Sequence, residues 1–156
     1  MRIAIFSETF LPKVDGVART LCHLLDHLAL RGHKSIMFAP EGAPDSYAAT
    51  PIVGLSSVIL PFYPELRVVP PLVTVRKQLN AFRPDLIHLV NPASLGLVGL
   101  AYARLRGVPV VASYHTDLPG YAMHYGMEVL SEPIWAYLRW IHNQADLNLT
   151  PSQFTK

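Results

Sequence analysis

Short apolar runs alternate with stretches of helical periodicity along the whole chain, and this alternation limits the fold more than any other feature. Ile3 to Phe6 reads as a buried strand. Asp15 can cap a helix from Gly16 to Leu30, in which Val17, Leu21, Leu24, Leu25 and Leu28 recur at helical spacing and Gly32 supplies the stop. His33 to Ala39 is a second strand ended by Pro40, and a turn-rich stretch from Glu41 to Gly54 leads to a third near Val58 to Leu60. Pro61, Pro64, Pro70 and Pro71 predict an irregular crossover loop from Pro61 to Pro71, with a helix from Leu72 to Phe82 behind it. Leu86 to Val90 is the fourth strand, Ser94 to Leu105 a helix with Gly107 beyond its end, and Val108 to Ser113 the fifth strand. After a loop rich in aromatic residues come a helix from Pro133 to Asn143 and a last short strand from Leu147 to Leu149.

Strands that alternate with helices imply right-handed crossovers and a parallel sheet covered on both faces. The expected fold is therefore α/β, a three-layer Rossmann-like domain spanning residues 1–156 with no linker or internal repeat. A chain of 156 residues can bury its own core, and 51% hydrophobic against 15% charged residues suits strands buried on both sides. The formal charge of +2 comes from scattered Lys and Arg residues that never form a run, which argues against a nucleic-acid partner. Ile3 to Phe6 is too short for the apolar core of a secretory signal, and no apolar run approaches the roughly 18 residues of a membrane span. A cytoplasmic protein is expected. Cys22, the single cysteine, falls on a helix and reads as a buried thiol without chemistry.

In such a sheet the strand order reverses between the first and fourth strands, and ligands bind beyond their carboxyl ends. Three loops should converge there: Ser7 to Asp15, Asn91 to Ala93, and Tyr114 to Gly120. The first has a single glycine at the helix entrance, Gly16, where a dinucleotide fold would place three in a tight turn. This disfavours a nucleotide-dependent oxidoreductase. Gly16 lets a ligand approach free backbone amides that favour an anion such as phosphate, although glycine is also simply tolerated at a helix start. Lys13 can add positive charge or merely be solvated. Glu8 can accept hydroxyl hydrogen bonds or act as a base, against the plainer reading of a polar loop residue.

His115 follows the fifth strand directly, which aims it into the crevice, where an imidazole can donate to a substrate hydroxyl or move a proton. Asp117 could orient it, unless the two face opposite ways. His23 and His27 stand four apart on the first helix but lack a third ligand, so they read as solvated. His33, His88, His124 and His142 have no evident partners. The helix of Ile134, Trp135, Tyr137, Leu138, Arg139, Trp140 and Ile141, with Tyr121, Met123 and Tyr125, could meet a lipid surface. Ile134, Leu138 and Ile141 at helical spacing favour core packing instead.

Glu8-Thr9-Phe10-Leu11-Pro12-Lys13-Val14-Asp15-Gly16-Val17 with Arg19-Thr20, then Arg83-Pro84-Asp85-Leu86-Ile87-His88, Tyr114-His115-Thr116-Asp117 and Thr150-Pro151-Ser152 together resemble the N-terminal half of family 4 glycosyltransferases of the GT-B fold. The resemblance implies two Rossmann-like domains facing across a cleft, with the acceptor held mainly by the first and a nucleotide-sugar donor mainly by the second. It implies sugar transfer with retention of anomeric configuration, with no metal required and no cofactor beyond the nucleotide sugar. It places Gly16 at the donor phosphates and His115 at the donor sugar as the catalytic residue, and Lys13, by its position near Gly16, is a further donor-binding candidate. Glu8, Asp15, Asn91 and Asp117 fall in loops where such enzymes contact acceptor or sugar.

The chain stops at Lys156, where the first domain of such enzymes hands over to the second, and Glu8, Glu41, Glu65, Glu128 and Glu132 lack the family's spacing of paired glutamates. The expectation is an acceptor-side half, inactive alone, whose partners are a nucleotide-sugar donor, a lipid or glycan acceptor and a C-terminal domain or subunit, with self-association through exposed apolar surface. The alternative is a non-catalytic binding or scaffold module that retains the fold. The first loop most resembles members that glycosylate lipids, namely mannosyltransferases and sulfoquinovosyl or glucosyl diacylglycerol synthases, which fits a place at the membrane periphery.

Overall fold

The computed structural model describes residues 1–56, 58–60, 63–68, 73–115, 117, 120, 123 and 126–151, with the backbone alone at 58–60, 63–68 and 73. The described elements run β1 (Arg2–Ser7), α1 (Gly16–Leu30), β2 (Lys34–Pro40), β3 (Ser46–Tyr47), β4 (Thr50–Leu55), β5 (Val58–Leu60), β6 (Tyr63–Val68), α2 (Val73–Phe82), β7 (Leu86–Val90), α3 (Ser94–Arg106), β8 (Val110–Ser113), α4 (Ser131–His142) and β9 (Leu147–Leu149). A single 3₁₀ turn, Glu128–Leu130, precedes α4.

Seven strands form one sheet in the order β3-β4-β2-β1-β7-β8-β9. All its pairings are parallel except β3 with β4. Ile5 of β1 lies beside Met37 of β2 on one side and His88 of β7 on the other. The sheet therefore reverses direction at β1, which opens the crevice beyond the carboxyl ends of β1 and β7. This is the expected three-layer Rossmann-like architecture.

Alternation along β1 builds both cores. Ile3 and Ile5 face α1 and join Val17, Leu21, Leu25 and Leu28. Ala4 and Phe6 face the opposite layer, with Val75 and Leu79 of α2, Leu95 and Leu100 of α3 and Ile141 of α4. Burying each such side chain contributes roughly 1.5–3 kcal/mol, enough to hold the crossover helices against the sheet. Asp15 caps α1 as expected, accepting the Ala18 amide at 2.8 Å. Beyond α3, Gly107 takes φ 64°, the left-handed stop that glycine enters without strain. At Gly99 the helix rides close on the sheet, where a Cβ would lie 2.8 Å from both Leu89 and Phe6.

Two expectations fail. The stretch from Glu41 to Gly54 is not merely turns: it contains β3 and β4, and β4 pairs with β2 through Met37 and Ile52. Pro51 and Gly54 hid this strand, since both weaken strand propensity, yet β4 still buries Thr50, Ile52 and Leu55. Nor is the segment between Pro61 and Pro71 wholly irregular, because β5 and β6 pair as a separate antiparallel ribbon. Val58 to Leu60 is thus no third strand of the main sheet. Pro64 fits because a two-stranded ribbon has free edges, where a missing N–H costs nothing. Pro61, Pro70, Pro71 and Leu72 lie outside the described residues.

α4 resolves the question posed by its aromatic residues. Leu138 and Ile141 are buried and Ile134 is half-buried, whereas Trp135 and Trp140 remain 36% and 50% exposed. Core packing accounts for one face only.

Candidate functional site

Beyond the end of β1 the chain folds on itself. The Ser7 hydroxyl donates to the Thr9 carbonyl at 2.7 Å, and the Thr9 hydroxyl donates to Asp15 at 3.3 Å. Lys13 pairs with Asp15 at 3.6 Å. Asp15 is therefore occupied by the helix cap, a hydroxyl and an ammonium. Gly16 stands exposed, and a Cβ built on it would meet nothing within 4 Å. Asp15 takes the Ala18 and Arg19 amides, and the Gly16 and Val17 amides have no acceptor among the described residues. Beside this helix entrance, a hollow of about 180 Å³ is lined by residues 8–13 on one side and Pro40, Glu41 and Gly42 on the other.

Glu8 departs from the reading of a plain polar loop residue. It is buried, and its Oε1 accepts the amides of Ala93 at 3.1 Å, Leu95 at 2.6 Å and Gly96 at 3.3 Å, while Oε2 accepts the Ser94 hydroxyl at 3.3 Å. Burial pushes its pKa from 4.5 up to about 7, against the opposing pull of those bonds. The first turn of α3 is thus capped from a distant loop, its own N-cap position being Ala93, which has no polar side chain. Tyr137 of α4 donates its hydroxyl to the Ala93 carbonyl from the other side. Burial and the nearby Glu8 both raise the Tyr137 pKa.

Asn91, in the same turn, adopts φ 52° and donates its amide to the Ser113 carbonyl at 2.9 Å. Its side-chain Oδ1 is buried and has no hydrogen-bond partner among the described residues. Asparagine is among the few residues that enter the left-handed region readily.

Behind β8, His115 is half-buried, and burial lowers its pKa below 6.5. His88 hydrogen-bonds Ser113 through Nε2, and burial together with the neighbouring His115 lowers its pKa to about 4. His88 therefore has partners that sequence reasoning missed. The signal was the parallel register, in which Val90 lies beside Ser113 and His88 one diagonal away on the same face. His33 and His142 also have partners, the N-terminal amine at 3.3 Å and Asn148 at 2.7 Å. His124, Thr116, Tyr121, Tyr125 and Ser152 lie outside the described residues.

Asp117 does not orient His115. Its Oδ1 accepts the Gly120 amide at 3.1 Å and the Tyr114 hydroxyl at 3.4 Å, closing its own turn. Burial, with Asp117 adding to it, raises the Tyr114 pKa to about 12. The Tyr114 ring stacks on Trp135 with centroids 6.4 Å apart, which ties this loop to α4. Cys22 is half-buried, less enclosed than expected, and His23 and His27 are exposed. No group of three His, Cys, Asp or Glu among the described residues could hold a metal. No described helix is long and apolar enough to cross a membrane.

A doubly wound sheet whose strand order reverses at β1, with α1 entered at the exposed Gly16 beyond that strand, defines a Rossmann-like domain. Residues 14–156 match the model of Glycosyltransferase Family 4, and the chain belongs to that family. It is 38% identical to a GDP-mannose-dependent alpha-mannosyltransferase of Mycobacterium tuberculosis, over 99% of this chain and 43% of the relative. It is 31% identical to a sulfoquinovosyl transferase of Arabidopsis thaliana, over 97% and 30%, and 28% identical to an alpha-monoglucosyldiacylglycerol synthase of Acholeplasma laidlawii, over 84% and 33%. The chain spans less than half the length of each.

Proposed function

We propose that this chain is the acceptor-side half of a retaining glycosyltransferase that moves a sugar from a nucleotide-sugar donor to a hydroxyl of a lipid or glycan. In this reaction the bond between the anomeric carbon and the diphosphate oxygen breaks. A bond to the acceptor oxygen forms, and the hydroxyl proton passes to the departing diphosphate oxygen. The nucleotide diphosphate leaves as an anion, so fixed donors aimed at its phosphates lower the barrier. Gly16 and the first turn of α1 are the donors this chain offers, with Lys13 beside them. His115 holds a hydroxyl of the donor sugar, and its lowered pKa keeps the imidazole neutral at pH 7.

The observation that carries this reading is the entrance of α1 at the switch point, where a Cβ on Gly16 would meet nothing within 4 Å. The relatives favour GDP-mannose as donor and a lipid as acceptor. A cytoplasmic protein at the membrane periphery suits such an acceptor. The other wall of the cleft belongs to a C-terminal domain, so residues 1–156 alone bind weakly and do not turn over. No metal is required, because amides and a C-terminal domain supply the charge stabilisation. Incubating the full-length protein with labelled GDP-mannose and a lipid extract tests the proposal: label should enter the lipid phase, and label remaining in the nucleotide would refute it.

A further inference from the structure

At the far end of α3 from the Glu8 cap, a hollow of about 540 Å³ is lined by Asn80, Arg83, Pro84, Tyr102, Arg106 and Val108. Ser94 and Arg106 bound that helix, so roughly 18 Å of helix separates the hollow from the crevice. Its lining carries two guanidinium groups and no carboxylate. Neither Arg83 nor Arg106 has an acidic partner among the described residues, and Asp85, close by in sequence, accepts the Arg2 amide at 2.7 Å. The carboxamide of Asn80 is also turned to donate. Arginine only donates, so Asn80 presents Oδ1 to Arg106, at 2.7 Å, and the same oxygen accepts the Tyr102 hydroxyl at 3.3 Å. Tyr102 is itself buried, and its ring lies 5.9 Å from the Arg106 guanidinium carbon. Asn80 Nδ2 is left with N–H groups that nothing among the described residues accepts.

We infer that this hollow is a binding site for a phosphate group, held by the guanidinium groups of Arg83 and Arg106 and the Nδ2 amide of Asn80. A wall of donors without a carboxylate suits an oxyanion, and a planar guanidinium can give a phosphate two parallel, charge-assisted hydrogen bonds. Arg83 follows α2 at φ 51°, a left-handed position where glycine is the usual occupant and an L side chain costs about 1 kcal/mol. Positive charge at the ends of α2 and α3 complements their dipoles, yet that role needs neither the hollow nor the oriented Asn80. The hollow is larger than one phosphate, and Pro84, Val108 and the Tyr102 ring give it an apolar wall. The phosphate is therefore carried on a larger body, a phosphorylated small molecule or a lipid headgroup. The inference goes beyond the glycosyl-transfer reading and does not rest on it.

The test titrates inorganic phosphate into the full-length protein by calorimetry, with glucose 6-phosphate and vesicles of phosphatidylcholine containing phosphatidic acid as further probes. Arg83→Gly removes the guanidinium and suits the positive φ, so it should weaken phosphate binding about tenfold without lowering the urea midpoint. Asn80→Asp keeps an oxygen for Arg106 and Tyr102 but sets a negative charge in the wall, and should weaken binding at least as much. Intact binding in Arg83→Gly, with a lowered midpoint, would make Arg83 a helix-end residue only and overturn the inference. Binding lost in Lys13→Ala but kept in Arg83→Gly would put the phosphate at the entrance of α1 and overturn it too. So would a wild-type protein that takes up none of the three probes. Glucose 6-phosphate bound more tightly than inorganic phosphate, and weakened in both hollow variants, supports the site and identifies a soluble ester. Vesicle binding lost in both variants supports it and identifies a headgroup. None of the probes is a sugar donor, so the result judges the hollow whether or not the protein transfers mannose.

Discussion

Glu8 Oε1 accepts the Leu95 amide at 2.6 Å across 87 residues of sequence, joining the loop that leaves β1 to the helix that leaves β7. Burial raises the pKa of the carboxyl group that makes this bond to about 7.

That carboxyl makes stability depend on pH. With its pKa raised from 4.5 to about 7, folded Glu8 binds its proton more tightly than the unfolded chain does. Its contribution is full below pH 4.5 and is lost as pH rises through 7, a span of roughly 3 kcal/mol at most. His88, whose pKa burial lowers to about 4, acts in the opposite sense and costs stability as pH falls below 6.5, so raising the pH from 5 to 8 should lower the urea midpoint of the wild type relative to that of Glu8→Gln. Parallel pH profiles in the two proteins would contradict this.

Gly16 and Gly99 separate ligand binding from packing. At Gly16 a Cβ meets nothing within 4 Å, so Gly16→Val should leave the urea midpoint nearly unchanged while GDP binding to the full-length protein, followed by calorimetry, weakens about tenfold. At Gly99 a Cβ would press on Leu89 and Phe6, so Gly99→Ala should cost about 1–3 kcal/mol of stability. A destabilised Gly16→Val with intact GDP binding would reverse the assignment.

How far the sequence discloses this molecule depends on whether a signal is local. The helix over Gly16–Leu30, its Asp15 cap and the reversal of the sheet at β1 follow from periodicity, one capping residue and the alternation of elements, and the structure contains all three. β4 escaped because Pro51 and Gly54 lower strand propensity, and only its pairing with β2 rescues it. Glu8 and His88 escaped for a different reason. Their partners lie 85 to 88 and 25 residues away, and no spacing along the chain announces a contact made by folding. Asp117 lies two residues from His115 but turns toward Gly120, three residues further on, and sequence proximity alone does not decide between the two directions.

Residues 1–156 by themselves should transfer no sugar, and the purified chain should self-associate through apolar surface such as Leu147 and Leu149, 54% and 44% exposed on β9. A scintillation assay and light scattering read these outcomes. Turnover by the isolated chain, or a monomer at high concentration, would count against them.

We propose that the crevice between the Gly16 and His115 loops holds a nucleotide sugar for transfer. The most direct measurement is the rate at which the full-length protein moves labelled mannose from GDP-mannose into lipid, compared for wild type, His115→Ala and His27→Ala. His27 is exposed on α1 and should matter little, whereas loss of the His115 imidazole should lower turnover about a hundredfold. Equal rates for the two variants would contradict the account.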